Sequence, residues 1–136
     1  MRNLTIALVT VALGWGAAAS AQPYRADPAD GPRLPMQGLY TSGFEVSAMR
    51  PCQWNSSDCG SGGDARSTSE CWVEFSPLAF GQVRGYSGGM VLTRTHPTRH
   101  LIAFMGRETR GEGSYGHLGA YPCRIVVEQV TGYKAL

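Results

Sequence analysis

Apolar positions along the chain come in short runs, and within the runs they alternate with polar ones rather than recurring every three or four residues. The stretch Gly38–Ala48 is rich in aromatic and β-branched residues. From Phe44 onward it alternates, with Phe44, Val46 and Ala48 on one face and Glu45 and Ser47 on the other. Gly43 inside it predicts a bulge or bend of the kind a closing barrel needs. Cys71–Phe75 reads as a second strand. Ser76–Phe80 reads as a helical turn with Ser76 as cap and Pro77 at the first helical position. Strands are also expected over Gly88–Thr95, over Leu101–Met105 after a turn at Pro97, and over Arg124–Val130. The five glycines between Gly106 and Gly119 mark a turn-rich connection. Five or six short strands with turn signals between them predict an all-β domain, a small barrel or a sandwich.

The first residues differ in character. One basic side chain, Arg2, precedes the uncharged apolar run Leu4–Leu13, and Ala19-Ser20-Ala21 supplies small residues where a signal peptidase cuts. Residues 1–21 are therefore expected to be a signal peptide, cleaved before Gln22. The run to Ala21 is near the lower limit for a membrane span and no basic cluster follows it. Residues 22–36, with Pro23, Pro28, Pro32 and Pro35, read as a flexible lead-in, and 37–136 as a single β domain.

The 115 residues after Ala21 carry 11 basic and 10 acidic side chains, a net charge of +1. That balance gives no electrostatic case for nucleic acid or an anionic membrane as partner. All four cysteines, Cys52, Cys59, Cys71 and Cys123, fall in this part. An even count in an exported chain reads as two disulfides. The pairing 52–59 with 71–123 combines a local clip with a strand-to-strand clip; 52–123 with 59–71 stays open. No Cys-x-x-Cys spacing points to a metal.

Two segments, Gly38–Cys52 and Tyr115–Tyr121, together resemble a group of small uncharacterised bacterial exported proteins. The first is also similar to the opening of the OB-like C-terminal domain of the copper-homeostasis and adhesion lipoprotein NlpE, which likewise begins with a Gly-Leu/Met-Tyr strand ending at a Cys. That resemblance implies a five-stranded barrel and an envelope setting, and it carries over no catalytic residue. This chain has neither a lipidation Cys nor the Cys-x-x-Cys module, so a copper- or surface-sensing role does not transfer.

Candidate chemistry is sparse. His96 and His100 are four apart but straddle a turn before a strand, which makes them surface histidines rather than a metal pair. Gly60-Ser61-Gly62-Gly63 lacks the Gly-Lys-Ser/Thr of a phosphate loop. Trp54 and Trp72 sit near the cysteines as packing residues or stacking platforms. Glu45 is expected to point outward. Tyr115, His117 and Tyr121 bring two phenols and an imidazole to one glycine-rich loop, with Arg107 and Arg110 ahead of it to supply charge. These five are the candidate binding residues; the competing reading is a tight turn with its tyrosines packed on the barrel. The expected function is a non-enzymatic module that binds an envelope protein or small ligand, without a cofactor. The alternative is a small hydrolase using His117, which requires a second titratable group within hydrogen-bond reach.

Overall fold

The computed structural model describes residues 25–43, 45–52, 70–86 and 98–136. Strand β1 (Leu34–Gly43) runs antiparallel to β2 (Val46–Pro51), and β3 (Cys71–Phe75) follows. Helix α1 (Pro77–Tyr86) then leads to two long strands, β4 (Thr98–Tyr115) and β5 (Tyr121–Ala135). The strands close into a barrel in the order β1-β2-β3-β5-β4, with β1 pairing back onto β4. Among the described residues only β3 and β5 pair in parallel, and α1 supplies part of the connection between β3 and β4. This is a small closed five-stranded barrel, one of the two all-β architectures expected from the strand pattern.

Alternation fills the interior. Tyr40, Met49, Val73, Ile102, Phe104, Ile125 and Val127 meet in one core. Each such side chain contributes roughly 1.5–3 kcal/mol relative to exposure. Cys71 and Cys123 join β3 to β5 through a disulfide with Cα atoms 4.7 Å apart, as the favoured pairing required. Cys52 is also disulfide-bonded; Cys59 lies outside the described residues.

Helix α1 starts where Ser76 and Pro77 predicted. Ser76 Oγ accepts from the Ala79 N–H at 3.1 Å and donates to the Glu128 carbonyl at 2.7 Å, so one hydroxyl caps the helix and pins it to β5. The helix runs ten residues rather than one turn. Ala79 and Val83, four apart, bury one face against the core, and this tertiary packing outweighs the helix cost of Gly81 and Gly85. The Gln82 side chain takes both the N–H and the carbonyl of Val130, at 2.8 and 3.3 Å.

Several expected boundaries move. Gly38–Ala48 is not one bent strand: Gly43, the end of β1, pairs with Val46, the start of β2, and Glu45 before it has φ 58°. The glycine-rich stretch after residue 105 is largely strand, because β4 continues to Tyr115. Gly106 fits there by size: a Cβ on it would come within 2.5 Å of the Val126 carbonyl oxygen and 2.8 Å of the Phe104 ring. The lead-in ends early, since Leu34–Met36 already belong to β1. His100 is buried instead of lying at the surface. The expected signal peptide, Phe44, Trp54, the Gly60–Gly63 loop, the strand over Gly88–Thr95 and His96 lie outside the described residues. Among the described residues no helix is long and apolar enough to cross a membrane.

Candidate functional site

A barrel of five strands has its interior taken up by side chains, so a ligand must use the outside. On the outer face one row runs across three strands. Trp72 of β3 is in register with Arg124 of β5, which is in register with Thr109 of β4. The hairpin joining β4 to β5 folds across this row.

That hairpin is closed by the pair Tyr115 and Tyr121. Between them Gly116, Leu118 and Gly119 all have positive φ, at 73°, 55° and 67°. Two glycines make the reversal inexpensive; Leu118 does so at a steric cost. A Cβ on Gly116 would lie 2.4 Å from the Trp72 indole, so only glycine lets the backbone rest on that ring. Tyr121 packs on the same indole, with ring centroids 5.5 Å apart and planes tilted by 50°. The Arg124 guanidinium lies 5.9 Å from the Tyr115 ring centroid. Beyond Gly116, His117 Nε2 stands 3.4 Å from Glu45 Oε2, which connects the hairpin to the β1–β2 turn. Burial pushes the Tyr121 phenol pKa up, and the Glu70 carboxylate adds to the effect.

The structure therefore brings together Tyr115, His117 and Tyr121, three of the five expected binding residues. It does not bring the two arginines to them. Arg107 is tied to Glu128, Nε to Oε1 at 2.6 Å, and its Nη1 donates to the Gly31 carbonyl. Arg110 sits opposite Cys123 and pairs with Glu108 on its own strand. The cation beside the tyrosines is Arg124, and the aromatic floor is Trp72. Alternation along Cys123–Glu128 puts Arg124 outward and is legible in the sequence. Its place beneath Tyr115 depends on strand pairing, which is not.

The site offers contact and hydrogen bonding, and Glu45, 3.4 Å from His117, supplies the second titratable group that the hydrolase alternative asks for. Among the described residues no Ser, Thr or Cys side chain is hydrogen-bonded to His117, and its ring is half exposed beside one carboxylate. Cys71, Cys123 and Glu108 place sulfur and carboxylate atoms within 4.8 Å of one another, but the disulfide already uses both sulfurs. A groove of about 610 Å³ lies elsewhere, lined by Pro35, Met36, Pro51, Cys52, Phe104 and Thr131 among others. The hairpin is the place where backbone conformation, aromatic area and charge converge. No family model, no curated protein and no solved structure matches the chain.

Proposed function

We propose that the chain is an exported, non-enzymatic interaction module whose contact surface is the Tyr115–Tyr121 hairpin. Leu118 carries this reading. It is 90% exposed, and it holds a left-handed backbone conformation that penalises a branched apolar side chain. Neither feature stabilises the fold, since Asn or Gly at this position relieves both costs. A rigid hairpin presenting one leucine at its tip is suited to insertion into an apolar pocket on a partner protein. The bracing of Gly116 on Trp72 and of His117 on Glu45 means little ordering is left to do on binding. The disulfide and the small-residue motif ending at Ala21 support an oxidising compartment outside the cytoplasm.

The test compares the wild type with Leu118→Asn as bait for envelope extract, with thermal melts of both. The expected outcome is one or more proteins retained by the wild type and lost with Leu118→Asn, at an equal or higher melting temperature. The same set captured by both baits removes the hairpin as the contact surface.

A further inference from the structure

The outer face of β4 and β5 contains a carboxylate site that is already filled by the chain itself. Residues 27–30 form a turn in which the Asp30 N–H donates to the Asp27 carbonyl and the Asp27 N–H donates to Asp30 Oδ2, both at 2.9 Å. The turn presents Asp30 to the barrel. Its other oxygen, Oδ1, receives Arg124 Nη2 at 2.5 Å and the Thr109 hydroxyl at 3.1 Å, and the side chain is completely shielded from solvent. One residue on, the Gly31 carbonyl accepts from Arg107 Nη1 at 3.1 Å, and Arg33 reaches Glu128 at 2.7 Å. Arg107 and Thr109 are alternate residues on one strand, so the Arg107 and Arg124–Thr109 positions are about 7 Å apart. That is the spacing of alternate side chains on an extended peptide.

We propose that this socket is an exchangeable carboxylate-binding site, with Asp30 as its resident internal occupant and an acidic extended segment of the partner as its external ligand. The proposal rests on the hairpin reading above, because Arg124 serves both places: it lies under Tyr115 and holds Asp30. Three observations favour exchange over a fixed structural arm. The arm's contacts are polar: Asp27, Pro28, Ala29, Pro32 and Arg33 are exposed, and it inserts no large apolar side chain into the core. A shielded ion pair gains Coulomb energy but loses hydration of both charges, so its net contribution is close to balanced. The surface pair Arg33–Glu128 adds little more. With Glu128 kept on Arg107 Nε and Glu74 near Arg124 Nη1, an external segment can place one carboxylate on Arg124 Nη2 and Thr109 and a second on Arg107 Nη1, where Gly31 offers only a neutral carbonyl.

The test uses the full exported protein and a fluorescently labelled hexaglutamate peptide, with hexaglutamine as control. Asp30→Asn is expected to bind hexaglutamate about tenfold more tightly than the wild type, since the competing internal state is removed. Arg124→Gln is expected to abolish that binding in both backgrounds. Release of the arm is read separately, by the rate of tryptic cleavage at Arg33, which should rise in Asp30→Asn and in the wild type saturated with hexaglutamate. Asp30→Asn binding no better than the wild type, or Arg124→Gln binding as well as it, overturns the proposal. If Asp30→Asn does not fold, the wild type decides: cleavage at Arg33 unchanged by saturating hexaglutamate overturns it equally. Leu118→Asn should bind hexaglutamate normally, so failure of the hairpin reading and failure of the socket are separable.

Discussion

His117 and Glu45 meet across 3.4 Å although 72 residues separate them, and each sits next to strained or glycine-dependent backbone. Both side chains are nearly half exposed, so the pair itself contributes little: His117→Ala is expected to change unfolding free energy by less than about 1 kcal/mol. The hairpin's position depends instead on Gly116. Its φ of 73° and the 2.4 Å approach to the Trp72 indole make Gly116→Ala expensive, about 1–3 kcal/mol from backbone strain and overpacking. Urea unfolding of both variants checks this. Equal effects would mean that Trp72 does not support the hairpin.

The contrast between these two residues shows what the sequence discloses. Cys71–Phe75 is legible because alternation inside one short run is a local property, and Ser76-Pro77 because a cap and its helix are neighbours. The reversal from Gly43 to Val46 is missed because so short a connection leaves the period-two pattern almost uninterrupted. The second half of β4 is missed because its glycines, read locally, signal turns; pairing with β5 overrides that. Arg107 is assigned to the hairpin by proximity in sequence, while its charge goes to Glu128, 21 residues later. Asp30 is invisible as a site residue because its partner Arg124 is 94 positions away.

The disulfide between Cys71 and Cys123 spans 52 residues and ties the parallel pair β3–β5 of the barrel. Only four register partners hold β3 to β5, so this clip limits how far the unfolded chain can separate them. Replacing both cysteines by serine is expected to lower stability by about 2–5 kcal/mol, with two hydroxyls left in a fully buried place. Denaturant unfolding of the double variant is the measurement. A loss below about 1 kcal/mol would show that closing this loop is not what holds β3 in the barrel.

Ser76 offers a sharper test of how α1 is anchored. Its hydroxyl makes two bonds at once, accepting from Ala79 and donating to the Glu128 carbonyl. Ser76→Ala removes both and should cost about 1–2 kcal/mol. Ser76→Gly permits the cap backbone but not the second bond. It should therefore cost nearly as much, unlike a simple cap, where glycine costs only a few tenths of a kcal/mol. Parallel thermal melts of the two variants separate the roles.

The last expectation concerns acid. His100 is 5% exposed, stacks on Tyr133 with centroids 5.5 Å apart, and lies 6.3 Å from the Tyr40 ring. Tyr133 in turn stacks on Tyr86 at the end of α1. Burial raises the Tyr133 phenol pKa, and its hydroxyl is hydrogen-bonded to His100 Nδ1 at 2.7 Å. The other ring nitrogen, Nε2, is hydrogen-bonded to Thr98 Oγ1 at 2.9 Å. An imidazolium does not suit this place, because desolvation by burial lowers the His100 pKa below its ordinary 6.5. A depressed folded-state value means that the unfolded chain binds the proton first. The stability held by neutral His100 is therefore fully present above pH 6.5 and is lost as pH falls from there through the lower folded value. Urea unfolding of the wild type near pH 7.5 and near pH 5 should show a loss that His100→Gln, which does not titrate, reduces. Because Tyr86 follows Tyr133, the loss should be accompanied by earlier exchange of the amides in the last turn of α1. An equal pH dependence in wild type and His100→Gln would assign the acid sensitivity to other groups and leave the His100–Tyr133 bond without a role in it.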